Sequence, residues 1–200
     1  MTSFLDKWRN AQTTHHSRLA IGLAPRIPRM PAPIARYDDP FLPFGRAIIN
    51  ATAEFACAFV FDLASYLAIG AAGAIALERS IPIVPRELPV ILHAPFVSAD
   101  FANAAFEDAF DVDAVTLATG NLDVIRAYTD SDQHAAFVNT KSAMSSEGGN
   151  VGFFDAGGFE FDGVRVIWVT DDIIYAAGTM DFEKAVRAAA RHYQQESLKS

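Results

Sequence analysis

The sequence has little cysteine, little positive charge and no long hydrophobic run free of charge. Cys57 is the only cysteine, which excludes an intrachain disulfide. The 16 Lys and Arg residues are outnumbered by 24 Asp and Glu residues, so the formal net charge is −8. Such a chain repels phosphate backbones and anionic membranes. Because the amino-terminal residues also lack the charged-then-apolar order of a secretory signal, we expect a cytoplasmic protein with no nucleic-acid partner.

The most hydrophobic segment, residues 55–77, is long enough to span a membrane. Asp62 lies near its middle, and Gly70, Gly73 and several alanines make it weakly hydrophobic. A carboxylate at the centre of a bilayer costs about 2.5 to 3.5 kcal/mol. We therefore predict a buried strand followed by a buried helix, and no membrane partner.

Short apolar runs alternate with helical patterns along most of the chain. Strands are predicted at 18–23, 56–61, 89–94, 114–118, 135–140, 151–155 and 164–169, with an eighth if 159–161 pairs. Strands that alternate with helices favour parallel pairing and right-handed crossovers. The pattern is therefore typical of an α/β protein with either a doubly wound sheet or a closed barrel.

Two stretches interrupt this alternation. Residues 24–44 contain six prolines, which fix φ and remove donors, so an irregular loop is predicted there. Residues 141–163 contain many Gly and Ser residues and no convincing helix. A (β/α)8 barrel usually takes about 250 residues, so we expect one or more outer helices to be missing between about 141 and 163. The whole chain, 1–200, is predicted to form a single domain.

Several segments resemble the bacterial long-form orotidine 5′-monophosphate decarboxylases. They are SRLAIGL at 17–23, YDDPFLPFGRAII at 37–49, CAF at 57–59, PVIL at 89–92 and IIYA at 173–176. The resemblance covers about residues 3–118 and 164–196. It implies a shortened TIM-like (β/α)8 barrel, and a homodimer with sites near the interface.

The chain departs from this family where the family carries its charged groups. The family's first strand ends in Gly-Leu-Asp-Pro, its second in Lys-Pro-Asn, and its third carries Asp-Ala-Lys with a further aspartate three residues on. Its phosphate-binding arginine precedes the Ile-Ile-Tyr segment. The residues at these positions here are Ala24, Val60, His93, Pro95, Ser98 and Asp171. Because proline has no proton to give and an aspartate repels phosphate, we expect neither decarboxylation nor tight binding of orotidine or uridine monophosphate.

The loops that follow barrel strands form the functional face of such folds, so new chemistry is expected there. His93 is a candidate acid or base, because imidazole titrates near neutral pH, and Asp62 on the neighbouring strand would orient it. Lys141 is a candidate nucleophile if it is desolvated. The alternatives are a histidine bonded to a backbone carbonyl and a solvated lysine. The candidate substrate-binding residues are Val60, Phe96, Ser98, Thr119, Asp155 and Asp171.

The apolar replacements predict a small-molecule ligand that is itself largely apolar. Asp62, Asp155 and Asp171 would be the ligands of a divalent cation, but no close ligand spacing supports one, so neither a metal nor a cofactor is expected. Two hypotheses stay open. In the first, a repurposed lyase or isomerase uses His93 and Asp62 for proton transfer. In the second, a noncatalytic pseudoenzyme binds a ligand or a partner.

Overall fold

The computed structural model describes residues 2–141, 150–176 and 181–199. Eight strands close into one barrel in the order β1 to β8, which confirms the α/β barrel and the pairing of 159–161. The strands are β1 Leu19–Leu23, β2 Ala58–Asp62, β3 Val90–His93, β4 Ala114–Leu117, β5 Ala135–Val138, β6 Val151–Asp155, β7 Gly158–Phe161 and β8 Val164–Val169.

Helices surround the barrel and close its amino-terminal end. Short 3-10 or π-helical turns lie at 27–29, 53–55, 81–83, 99–101 and 104–108. The α-helices are α1 Phe4–His15, α2 Ala32–Ala35, α3 Phe41–Thr52, α4 Leu63–Leu67, α5 Ala71–Ser80, α6 Leu122–Ala127, α7 Asp171–Ile174 and α8 Phe182–Ser197.

The barrel departs from uniform parallel pairing at β7, which runs antiparallel to both β6 and β8. Two-residue turns, 156–157 and 162–163, replace the helices that would otherwise separate these strands. A two-residue turn can join only antiparallel neighbours. Asp162 and Gly163 have φ of 54° and 72°, the left-handed values of a type I′ hairpin. The predicted loss of outer helices is therefore confirmed for these turns, and it reverses one strand.

Two other sequence-based expectations were wrong in detail. The helix predicted at 64–79 is divided into α4 and α5, because Gly70 adopts a φ of 72°, which an L side chain rarely tolerates. The proline-rich loop contains α2 and a 3-10 turn rather than wholly irregular backbone. Residues 55–77 do form a buried strand followed by helix. In the described part of the chain no helix is long and apolar enough to cross a membrane.

Aromatic rings fill the lower half of the barrel. Phe137 on β5 contacts Phe159 on β7 with centroids 4.9 Å apart. Phe4 and Trp8 of α1 pack beneath, with Phe4 5.2 Å from Phe161. All five side chains are buried. The amino-terminal end is thus sealed by apolar packing, which leaves the opposite end, where the parallel strands end, as the place for a site.

Candidate functional site

His93 is the central polar side chain at the carboxyl end of the barrel. It ends β3, and its neighbours in register are Asp62 on β2 and Thr116 on β4. Its Nδ1 lies 2.9 Å from Thr116 Oγ1, and the same oxygen accepts a hydrogen bond from the backbone N–H of Ala94 at 3.1 Å. Thr116 is fully buried, so this contact fixes the imidazole ring on one side.

Two aromatic side chains form the other walls around His93. The Trp168 indole is 4.8 Å from the imidazole centroid at 60°, and the Phe154 ring is 5.8 Å away at 80°. Since β3 and β8 are not neighbours in the barrel, the contact between His93 and Trp168 crosses the interior. We call His93, Thr116, Phe154 and Trp168 the mouth site.

Burial is the main influence on the pKa of His93 in the mouth site. The pKa of His93 is lowered from 6.5, first because burial disfavours the imidazolium, while the charge of Asp62 acts in the opposite direction. Asp62 Oδ1 accepts a hydrogen bond from the backbone N–H of Ser65 at 3.0 Å and so caps α4. The carboxylate of Asp62 thus acts on His93 through its charge, whereas Thr116 holds the ring. Near pH 7 His93 is neutral.

The remaining residues predicted near the strand ends have varied surroundings. Val60 is fully buried in β2, and Phe96 is 61% exposed. The backbone carbonyl of Ser98 accepts a hydrogen bond from Tyr128 at 2.6 Å. Thr119 Oγ1 accepts one from the N–H of Asn121 at 3.1 Å. Val60 therefore belongs to the packed barrel, whereas Phe96 is an exposed apolar side chain.

Lys141 and Asp155 form ion pairs beside β7 and β8. Lys141 Nζ is 3.4 Å from Glu160 Oε2 and 5.0 Å from the centre of the Phe153 ring. Glu160 alternates along β7 with residues that face the interior, so it points outward. Asp155 accepts from the N–H groups of Gly157 and Gly158 and pairs with Arg165. This places Lys141 on the outer surface rather than beside His93.

Asp171 lies between two arginines. It pairs with Arg26, and its Oδ2 is 2.5 Å from Arg29 Nη1. Burial opposes its ionisation, but the hydrogen bonds from both guanidinium groups outweigh burial and lower the pKa of Asp171. Arg29 also lies 4.1 Å above the Tyr175 ring. Instead of an unpaired negative charge, the three charged side chains form a cluster of formal charge +1, which we call the arginine cluster.

The three aspartates considered as metal ligands are separately engaged. Asp62 caps α4, Asp155 pairs with Arg165, and Asp171 belongs to the arginine cluster. Within residues 2–141, 150–176 and 181–199 no three His, Cys, Asp or Glu side chains are grouped to hold a metal ion. The described part of the chain therefore offers polar and aromatic chemistry at the mouth rather than a cation site.

Sequence reasoning did not identify Thr116, Trp168 or the two arginines of the cluster. Thr116 had a signal, because it is the single polar residue in the buried strand Ala114–Leu117. Trp168 had a weaker one, since alternation places it on the same face of β8 as the buried Val166. Arg26 and Arg29 lie in the proline-rich segment, where no periodicity places side chains.

Comparison with known proteins finds that the chain is similar to orotidine 5′-phosphate decarboxylases. No family model matches the chain. The orotidine 5′-phosphate decarboxylase of Herpetosiphon aurantiacus is 39% identical over 119 residues, which are 57% of this chain and 44% of that protein. The enzyme of Thermomicrobium roseum is 40% identical over 120 residues, 58% of this chain and 42% of that protein. The chain thus spans less than half the length of these relatives.

Solved structures extend the likeness in fold. A putative orotidine-monophosphate decarboxylase from Toxoplasma gondii matches with a TM-score of 0.76 at 19% identity, covering 98% of this chain and 95% of that one. Leishmania donovani OMP decarboxylase matches with a TM-score of 0.73 at 22% identity, covering 98% and 97%. By sequence over about half of its length and by fold over nearly all of it, the chain is similar to orotidine 5′-phosphate decarboxylases.

Proposed function

We propose that this chain is a diverged orotidine-monophosphate-decarboxylase-like barrel that does not decarboxylate orotidylate. Its mouth site would bind a small, largely apolar molecule, with His93 as the acid or base of a lyase or isomerase type of reaction. The observation that carries the proposal is the position of the His93 imidazole, which Thr116 holds between the rings of Phe154 and Trp168.

The loss of the ancestral reaction is supported by the residues at the mouth. Pro95 and Ala24 supply neither the ammonium group nor the carboxylate that the resemblance would require at those positions. The guanidinium groups of Arg26 and Arg29 are already bonded to Asp171. A phosphate bound by both guanidinium groups would have to displace this carboxylate, and the remaining formal charge of +1 does not balance a phosphate dianion, which raises the cost of binding a nucleotide.

The tautomer of His93 determines which proton-transfer role it performs. When Nδ1 carries the proton, it donates to Thr116 Oγ1 and leaves the lone pair of Nε2 to accept a proton from a ligand. In the other tautomer, the Thr116 hydroxyl donates to Nδ1 and Nε2–H is a donor. A positioned base or acid of this kind typically contributes about 10² to 10⁴ in rate. Thr116 is a positioning residue in this scheme, because it acts through His93.

A noncatalytic binding protein is the second candidate. It is favoured by the carboxylate of Asp62, which caps α4 instead of hydrogen-bonding to the imidazole. A histidine whose hydrogen-bond partner is a hydroxyl lacks the hydrogen-bonded carboxylate that orients and stabilises an imidazolium during proton abstraction, and here the charge of Asp62 acts without a hydrogen bond to the ring. In that case, the same aromatic walls would hold a ligand without turning it over.

The loss of decarboxylase activity is tested with orotidylate and uridine monophosphate. We expect no carbon dioxide from orotidylate, and no increase in melting temperature with millimolar uridine monophosphate. Release of carbon dioxide at a rate proportional to the protein concentration, or a nucleotide-dependent shift of several degrees, would contradict the proposal.

Ligand binding at the mouth is tested through the fluorescence of Trp168. In a Trp8→Phe background Trp168 is the only indole. We expect small aromatic carbonyl compounds to quench it saturably. Incubation of the same compounds in D2O, followed by proton NMR, reports exchange at the carbon next to the carbonyl.

The variant His93→Asn separates the two candidates. Loss of exchange with retained quenching supports the enzyme, and a changed pH profile in Thr116→Val supports its positioning role. Saturable quenching without exchange in the parent chain supports the noncatalytic alternative. If no compound quenches Trp168, the mouth is not a binding site for this class of molecule.

A further inference from the structure

A cavity lies beside the carboxyl end of the barrel, between the loop after β1 and helix α4. Its volume is about 480 Å³, within the range of about 300 to 1,000 Å³ that is usual for small-molecule pockets. None of the four mouth-site residues lines it. We call it the side cavity, and it is bounded by Pro25, Ile27, Phe41, Ala64, Ala68 and Ile69, together with Arg26 and Ser65.

The walls of the side cavity are almost entirely apolar. Ile27 is 39% exposed although it is a large aliphatic residue. The small side chains of Ala64 on α4 and of Ala68, which follows the end of α4, leave the facing wall open. Exposed apolar surface of this kind is costly in water unless a ligand or partner covers it. The cavity therefore favours the hydrocarbon part of a ligand.

One edge of the side cavity is positively charged. Arg26 lines it and belongs to the arginine cluster, in which two guanidinium groups share the single carboxylate of Asp171. The cluster therefore keeps one uncompensated positive charge beside the apolar walls, in a protein whose overall charge is −8. This local excess is complementary to an anionic group.

We propose that the side cavity binds a small amphipathic anion: a medium-chain or arylalkyl carboxylate whose apolar part packs against α4 and whose carboxylate faces Arg26. Each part of the ligand is matched to a different part of the cavity lining. Ile27, Ala64 and Ala68 take the hydrocarbon chain, and Arg26 takes the charge. The site is separate from the mouth site, so its occupancy does not depend on the chemistry of His93.

The first experiment titrates the purified chain with hexanoate and octanoate by isothermal titration calorimetry. Each additional methylene buried is worth about a fourfold gain in affinity, so we expect octanoate to bind about 15-fold more tightly than hexanoate. Ala68→Trp fills the cavity and should abolish binding. Ala72→Trp adds the same side chain at an exposed position of α5 outside the cavity and should leave binding unchanged.

The second experiment tests the charge with a matched pair of arginines. Arg26 lines the cavity, whereas Arg29 belongs to the same cluster without lining it. A charge-assisted hydrogen bond is worth about tenfold or more in affinity. We therefore expect Arg26→Gln to weaken octanoate binding by about that factor, and Arg29→Gln to weaken it less. Binding of 1-octanol should be the same in both variants.

Three results would overturn the proposal. The first is the absence of saturable octanoate binding by the parent chain. The second is equal binding by the Ala68→Trp and Ala72→Trp variants, which would place the ligand elsewhere. The third is a change of oligomeric state in Ala68→Trp alone, measured by light scattering, which would make the cavity an interface between copies. Circular dichroism of each variant shows that it is folded.

Discussion

Gly22 on β1 lies directly against the side chains of Trp168 and Thr170 at the carboxyl end of the barrel. A methyl group on its Cα would overlap Thr170 Oγ1 and lie 2.6 Å from Trp168 Nε1 and 2.9 Å from Thr170 Cβ. Such overpacking costs about 1 to 3 kcal/mol, and the smaller conformational entropy of unfolded alanine returns about 0.4 to 1 kcal/mol. The net loss lies between about 0 and 2.6 kcal/mol, and because the nearest contacts are well inside van der Waals distance we expect Gly22→Ala to lower the free energy of unfolding by about 1 to 2 kcal/mol.

The assay is urea unfolding followed by circular dichroism, with thermal melting as a second measure. For a chain of this size, 1 kcal/mol corresponds to about 2 to 4 °C, so the melting temperature should fall by about 2 to 8 °C. Gly120→Ala is the matched control, because a Cβ there meets nothing within 4 Å. It should leave stability unchanged or slightly raised.

The double variant Gly22→Ala/Thr170→Gly tests the cause of the loss. Removing the Thr170 side chain takes away the nearest atoms, so it should destabilise the Gly22→Ala background less than the parent chain. Contacting residues typically show coupling of about 0.5 to 3 kcal/mol. If Gly22→Ala were as stable as Gly120→Ala, or if the two changes were additive, the packing around Trp168 would not be as described.

Three further predictions follow from burial and surface. Burial lowers the pKa of both His93 and His134. As the pH falls below about 6.5, these two histidines therefore bind protons in the unfolded chain at pH values where they are still neutral in the folded chain. The free energy of unfolding should therefore fall as the pH drops, with a smaller slope in His93→Asn; parallel slopes would contradict this. Burial raises the pKa of the Cys57 thiol to about 12, so a disulfide reagent should modify it only on unfolding, and rapid reaction of the native chain would count against the buried position. We also propose a homodimer through the outer face of β6 to β8, where Phe153 and Ile167 are half-buried; light scattering that gives only monomer at micromolar concentration would refute it.

Part of the fold could be predicted from local pattern. The apolar runs at 19–23, 58–62 and 90–93 are short, bounded and buried, so periodicity and length were sufficient to predict them as strands. The hairpin between β7 and β8 also had a local signal, the Asp162-Gly163 dipeptide between alternating residues. That signal was outweighed by the parallel pattern of the rest of the chain, and the direction of β7 was missed.

The mouth site was less accessible to sequence reasoning. Asp62 and Thr116 lie in register with His93 on its two sides, so strand order alone makes either a candidate partner. The side chain of Asp62 caps α4, and this leaves Thr116 to hold the imidazole. A helix cap depends on where the next helix begins, which the pattern places only to within a few residues.

Closure into a barrel was implied only by the resemblance to a known family. The sequence by itself determined that the chain is an α/β protein in which strands alternate with helices, and that its only cysteine has no partner for an intrachain disulfide. These are properties of composition, period and residue identity. Only the tertiary structure decided that β7 is reversed, that Trp168 reaches His93 across the barrel, and that Arg26 and Arg29 share Asp171. Each of these depends on contacts between segments far apart in the chain, where side-chain direction and packing select one partner among several that the sequence leaves equivalent.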